Sequence, residues 1–175
     1  AICYGVEKTD GERVVLVYDL GGGTFDITVV SIKDRDISVI FTDGNHSLGG
    51  KDWDERLMMY FSEEFTREHP DKGNPLDDPE SLEQLVLMAE DTKRSLSTRE
   101  KSPQAISHAG VRTRIELTRE KFEDVTRDLL EQTISLTTSV IAAAKQRGIS
   151  KIDQLLLVGG SSRMPYVARR LKEAT

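Results

Sequence analysis

The stretch VYDLGGGTFD, residues 17–26, closes an apolar run from Val14 to Leu20 that carries one carboxylate, Asp19. Three glycines follow, Gly21, Gly22 and Gly23, then Thr24, and a second carboxylate, Asp26, stands seven residues after the first. Glycines at a strand–turn–strand junction let backbone N–H groups approach a ligand, because no Cβ stands in the way. Successive donors in such a turn form an anion-binding concavity. Phosphate suits it, and the Thr24 hydroxyl adds a donor. The flanking carboxylates would repel a bare phosphate, so they make sense with a divalent cation between them and the phosphate oxygens. Mg2+ keeps most of its waters and is held through few carboxylates, so Asp19 and Asp26 would act on it partly through water. The competing reading is a glycine-rich hairpin with solvated aspartates, and short motifs of this kind also arise by chance.

The neighbouring segments give the frame. RVVLVYDL (13–20), DITVVSI (26–32) and DISVIFTD (36–43) are short runs rich in Val and Ile and read as three consecutive strands. Their links, GGGTF and KDRD, suit antiparallel hairpins. GGKDWDERLMMYFSEEF places Trp53, Leu57, Tyr60 and Phe61 at helical spacing. REHPDKGNPLDDPES (67–81) is polar and proline-bearing, hence a loop. Residues 80–97 read as a helix whose apolar stripe is Leu82, Leu85, Val86, Ala89 and Leu96. QAISHA and VRTRIEL form a short hairpin. One long helix or two follow, with Thr118 as N-cap, Gly148 as stop and a stripe of Phe122, Val125, Leu129, Leu136 and Val140. DQLLLVGG reads as a fully buried strand, and RMPYVARRLKEA opens a last helix with Pro165 in its first turn.

Two further groups carry chemistry. LLLVGGSSRMP (155–165) is a strand, the pair Gly159–Gly160, two serines and a helix start. Free N–H groups and a positive helix end there suit a phosphate or a nucleotide edge; the alternative is a tight turn with serine caps. The two glycine turns are expected to line one cleft. In the 80–97 helix, Glu90, Lys93, Arg94 and Ser97 fall at i, i+3, i+4 and i+7 and form one polar stripe at the border of the apolar face. A solvated charged face is the ordinary alternative. GNHSLGGKD (44–52) imitates a phosphate loop, but its spacing is one residue too long and Asp52 stands where Ser or Thr is required. His46, His69 and His108 lack ligand spacing and read as surface residues.

Composition excludes several classes. The chain has 175 residues, 37% hydrophobic and 31% charged, as in a globular protein. A net charge of -6 argues against a basic nucleic-acid face. Cys3 is the single cysteine, so an intramolecular disulfide and a cysteine-rich metal site are excluded, and a reducing, cytoplasmic setting is compatible. No apolar stretch is long enough to span a bilayer and no signal peptide is visible, so no membrane partner is expected. The start at Ala1, without methionine, reads as cut from something larger or processed.

VYDLGGGTFDITVV, LGGKDWDERL, AEDTKRSLS and LLLVGGSSRMP, in this order and spacing, closely resemble the ATPase domain of the heat-shock-70 chaperone family of the DnaK type. The likeness runs from AICYGVEK to RRLKE. It implies an α/β fold: the second lobe of an actin-like (ribonuclease-H-like) ATPase, a mixed sheet with helices plus a smaller α+β subdomain. Residues 1–49 and 119–175 would form the sheet-bearing base, and 50–118 the smaller subdomain over the nucleotide. The implied ligands are ATP or ADP, Mg2+ and a monovalent cation such as K+. Asp19 resembles the aspartate of the Mg2+ shell that positions water, and Asp26 the second carboxylate near the metal and monovalent-cation sites. Gly21, Gly22, Gly23 and Thr24 resemble a phosphate loop, so Asp19, Asp26 and Thr24 are the implied catalytic group. Glu90 and Lys93 resemble ribose contacts, with Arg94 and Ser97 at the adenine. Gly159 and Gly160 resemble a phosphate/ribose loop, and Ser161 and Arg163 the other adenine wall.

The sequence departs from the family at Lys51, where Glu is usual, and in the shorter segment 101–117. By the resemblance, the first lobe, which supplies another phosphate loop and the catalytic lysine, and the peptide-binding domain lie elsewhere in a parent chain, and this chain alone would be inactive. Nucleotide-exchange factors and J-domain co-chaperones are the implied partners. Two other readings stay open: an interaction lobe that docks such partners without useful nucleotide affinity, and another actin-like ATPase or sugar kinase. The EDTKRSLS stripe argues against the last.

Overall fold

A computed structural model of the chain describes residues 11–33 and 36–175. The AICYGVEK segment with Cys3, and Asp34 and Arg35 of the KDRD link, lie outside the described residues. The chain divides into two units, one running up to Gly50 and resuming at Glu131–Thr175, the other Lys51–Leu130.

The first unit is built on β1 (Arg13–Leu20). Its Val, Leu and Tyr residues are buried on both faces of the sheet. β2 (Phe25–Lys33) pairs antiparallel with it, and β3 (Asp36–Asn45) antiparallel with β2. The fourth strand in the sheet, β6 (Gln154–Val158), lies parallel to β1 on its other side, so the sheet is mixed, in the order β3-β2-β1-β6. β6 is half-buried along its whole length rather than fully buried as its apolar run suggests. It stands at an edge of this sheet, and an apolar run does not distinguish edge from centre. Asp153 pins its start, donating its N–H to the Val14 carbonyl at 2.8 Å and accepting from Val14 N at 3.0 Å. At the opposite edge the register of β3 slips between Val29 and Val30. The Arg147 guanidinium donates to the Ile40 carbonyl there and lies 4.8 Å from the Phe41 ring centroid.

The division between the units falls inside α4 (Arg127–Gln146). In the first unit its buried stripe is Thr133, Ile134, Thr137, Val140 and Ala144, whereas Leu136 is only half-buried. Thr137 is tolerated because its hydroxyl donates back to the Thr133 carbonyl at 2.8 Å. Gly148, at φ +92°, follows the helix as its stop. α5 (Pro165–Ala174) starts on its proline, and Arg170 holds Glu131 of α4 through two bonds of 2.8 Å.

In the second unit, α1 (Gly50–Glu68) buries Trp53, Leu57, Phe61 and Phe65 completely, while Tyr60 is half-buried. α2 (Pro79–Leu96) is capped by Asp78, which accepts from Ser81 N at 2.9 Å. Its buried stripe is Ser81, Leu85, Ala89, Thr92 and Leu96. Leu82 and Val86, expected inside, are exposed, because small polar residues take their places on the inner face. β4 (Lys101–His108) and β5 (Val111–Thr118) form a two-stranded hairpin, and Thr118 caps α3 (Arg119–Val125), accepting from Lys121 N at 3.2 Å. α3 and α4 are separate helices parted at Thr126, with Phe122 buried and Val125 half-buried. His69 and His108 are not surface residues. His108 accepts from the Ser81 hydroxyl at 2.8 Å through Nδ1 and donates to the Lys72 carbonyl at 3.2 Å through Nε2. His69 bonds Thr113 Oγ1 at 2.7 Å, and both rings lie beside Phe65. The loop expected over 67–81 is shorter, because α1 runs to Glu68 and α2 starts at Pro79; it folds back onto the hairpin and α2, and imidazoles supply the partners its polar groups need. His46 is exposed.

Tyr18 ties β1 to α4. It is wholly buried and its hydroxyl donates to Thr133 Oγ1 at 2.7 Å. Burial raises its pKa, against the smaller opposing effect of the Thr133 bond. A folded-state pKa above the unfolded value of about 10 means the contribution is complete below that pH and is lost as pH rises beyond it. Tyr18→Phe is expected to cost about 1 kcal/mol at neutral pH and to make the alkaline loss of stability shallower. Urea unfolding at a series of pH values above and below 10 checks both.

Candidate functional site

The register of β1 assembles the first half of the site. Asp19 is paired with Asp26 across the β1–β2 hairpin and with Val158, the residue before Gly159, across the parallel β1–β6 pair. The hairpin closes with Gly21 N donating to the Thr24 carbonyl at 2.9 Å, so Gly22 and Gly23 form its tip. A Cβ added at Gly22 or Gly160 would meet nothing within 4 Å and both residues are exposed, so these two glycines face open space, whereas Gly23 is half-buried. Thr24 and Asp26 are exposed and Asp19 is half-buried.

The second glycine turn lies against the first. Gly159 has φ +86°, and a Cβ there would stand 2.2 Å from the Leu20 carbonyl oxygen and 2.9 Å from Asp19 Oδ1. Ser161 is buried and its hydroxyl donates to the Gly21 carbonyl at 3.1 Å, tying the two loops together. Ser162 donates to the Gly159 carbonyl at 2.7 Å. Arg163 follows with an exposed side chain. The two turns expected to line one cleft are therefore joined directly.

A third loop, passed over in the sequence as an imitation phosphate loop, belongs here too. Gly50 N donates to the Gly21 carbonyl at 2.9 Å, and a Cβ at Gly49 would stand 2.5 Å from the Gly23 backbone. Its glycines serve close backbone packing, and its place in LGGKDWDERL, one of the motifs that carry the resemblance, is the sequence signal for it.

In the second unit the polar stripe of α2 is sorted into two pairs. Arg94 Nη2 lies 2.6 Å from Glu90 Oε1, with side chains 74% and 48% exposed. Lys93 Nζ lies 2.6 Å from Asp54 Oδ2 of α1, with side chains 13% and 19% exposed. Ser97 donates to the Lys93 carbonyl at 3.0 Å, so its oxygen remains an acceptor. Asp54 was not recognised in the sequence, since no spacing rule links positions on two helices. Burial raises its pKa, and the Lys93 bond and charge oppose the rise.

The donor set of the first unit suits a hydrated magnesium–phosphate group. Two carboxylates stand at paired positions of β1 and β2, beside the open glycines Gly22 and Gly160. Among the described residues no group of three or more His, Cys, Asp or Glu side chains is placed to hold a metal ion. A cation held by Asp19 and Asp26 would therefore draw further oxygens from its ligand and water, as Mg2+ does. Among the described residues, no helix is long and apolar enough to cross a membrane.

Comparison with known proteins follows the same residues. A family model described as "Hsp70 protein" matches residues 1–175. The chain is 41% identical over 181 residues to the "Chaperone protein DnaK" of Thermotoga neapolitana, with 99% of this chain and 30% of that protein covered. It is 38% identical over 180 residues to the protein of the same name from Thermosipho africanus, covering 99% of this chain and 29% of the relative. The chain thus spans roughly a third of the length of the curated relatives it matches.

The glycines divide by what surrounds them. Gly159→Ala combines a left-handed backbone, costing an L-residue about 1–2 kcal/mol, with a clash against backbone. Gly49→Ala presses on Gly23. Both are expected to lower the melting temperature clearly, and Gly22→Ala and Gly160→Ala to leave it close to wild type. Thermal unfolding of the four variants distinguishes the packing glycines from the open ones.

Proposed function

The chain belongs to the Hsp70 family, of the α/β, actin-like ATPase fold class, and from that premise we propose that it binds the adenosine and part of the Mg2+–phosphate side of ATP or ADP. The observation that carries this reading is the joining of the two glycine turns beside Asp19 and Asp26, with Gly22 and Gly160 open to a ligand. Residues 1–49 and 119–175 serve as the sheet-bearing base of a lobe and 50–118 as the subdomain that covers the nucleotide.

Each residue takes a role that its chemistry permits. The backbone of Gly21–Thr24 and Gly159–Gly160 cradles phosphate oxygens, with Ser161 holding the two turns together. Asp19 and Asp26 hold hydrated Mg2+, and Asp26 lies near the place of a monovalent cation. The Mg2+, when bound, neutralises phosphate charge. Asp19 orients water by accepting its proton in a hydrogen bond. Glu90 and Lys93 take the ribose hydroxyls, Ser97 offers an acceptor to the base edge, and Arg94 and Arg163 stack on the adenine. A planar guanidinium suits that contact in a way an ammonium does not. Phosphoryl transfer is mostly positioning and charge stabilisation; we assign the remaining groups, the peptide-binding domain and the exchange-factor and J-domain partners to a cytoplasmic parent chaperone. A second reading, a docking lobe for such partners, is favoured by the exposed Leu82, Val86 and Leu87 of α2.

Calorimetry with ATP and ADP in the presence of Mg2+, and with adenosine, tests the first reading. A stacking contact is worth about 0.5–2 kcal/mol, so Arg94→Ala is expected to weaken all three ligands by roughly two- to thirtyfold. Asp19→Asn is expected to weaken only the Mg2+–nucleotide forms and spare adenosine. Absence of binding to any of the three overturns the reading in favour of the docking lobe.

A further inference from the structure

We propose that Asp54 is a positioning residue of the adenosine site, holding the Lys93 ammonium where it meets the ribose; the proposal rests on the reading that the chain binds adenine nucleotide. The pair joins α1 to α2 across 39 positions of sequence, at 2.6 Å. Both side chains are largely withdrawn from solvent, unlike the exposed Glu90–Arg94 pair on the same stripe. A lysine side chain carries considerable rotamer entropy, so an unheld Lys93 would meet a ligand only after losing that freedom. Asp54 removes it in advance.

Stability alone gives a weaker account of the pair. Withdrawing two charges from water costs about as much as their attraction returns. Asp54 Oδ1 is buried and has no hydrogen-bond partner among the described residues, a further cost. α1 is already anchored by Trp53, Leu57, Phe61 and Phe65. Asp54 also lies in the field of Glu90, which opposes its charge, and of Arg94, which favours it. The carboxylate is thus coupled to three of the four residues of the stripe. What the pair achieves is a fixed ammonium at i+3 from Glu90, the spacing at which two side chains of one helix face can meet neighbouring hydroxyls.

The test measures adenosine and adenine binding to the chain, since adenine lacks the ribose. Asp54→Asn is expected to weaken adenosine about tenfold and to leave adenine unchanged, and Lys93→Met to do the same. Asp54→Asn/Lys93→Met is expected to bind adenosine no worse than either single variant, and to melt close to wild type because no charge is stranded. Asp54→Glu, which keeps the charge, is expected to recover part of the adenosine affinity, and thermal melts report whether each variant is folded. Equal weakening of adenosine and adenine by Asp54→Asn, additive losses in the double variant, or wild-type adenosine binding by Asp54→Asn overturns the proposal while leaving the functional reading intact. Failure of the wild-type chain to bind adenosine or ADP overturns both.

Discussion

The register of β1 is the constraint on which the first unit depends. A strand hydrogen-bonded on both sides transmits one alignment to two neighbours. With Asp19 set opposite Asp26 on one side and Val158 on the other, both glycine turns must emerge at the same end of the sheet. A slip of one residue would turn every side chain to the other face. Burial on both faces forbids that slip: Leu16, Tyr18 and Leu20 fill one side and Val15 and Val17 the other. The hydrophobic pattern thus places two carboxylates and two loops with no contribution from the loops themselves.

Close backbone approach then converts alignment into a concave site. Gly49 against Gly23, and Gly159 against Leu20, allow three chain segments to meet at distances that a Cβ would prevent. The Ser161 hydroxyl and the Gly50 N–H both end on the Gly21 carbonyl. One carbonyl therefore organises all three segments, and the glycines that remain open, Gly22 and Gly160, are exposed. Packed and open glycines alternate along the same motifs, so the sequence does not distinguish them.

Much of this was legible before any coordinates. Short runs rich in Val and Ile mark β1 to β3, the glycine turns announce a shared cleft, and Thr118, Gly148 and Pro165 mark helix ends through their local chemistry. What escaped depended on tertiary context. The LLLV run of β6 reads the same at an edge as in a centre. Apolarity alone places Leu82 and Val86 in the core, but the phase of the helix does not: the inner stripe includes Ser81, whose N–H bonds the Asp78 cap, and Thr92. His69 and His108 were set aside for lacking metal-ligand spacing, when their partners were a serine, a threonine and a loop carbonyl. Asp54 lay hidden in a charged helical segment because its partner is on another helix.

The α2 stripe shows why four polar residues at helical spacing need not behave alike. An exposed ion pair contributes about 0–1 kcal/mol, so Arg94 can leave Glu90 for another partner at little cost. Lys93 cannot leave Asp54 so cheaply, since parting would strand two charges in a half-buried place. One cation of the stripe is therefore adaptable and the other fixed. Stacking on a planar base tolerates a mobile guanidinium, because the contact is broad and weakly directional. Hydrogen bonding to hydroxyls is directional and gains from a donor already in place. Lys93 is paired with Asp54 of α1 and Arg94 only with Glu90 of its own helix, so the difference between the two cations comes from α1, not from the spacing on α2.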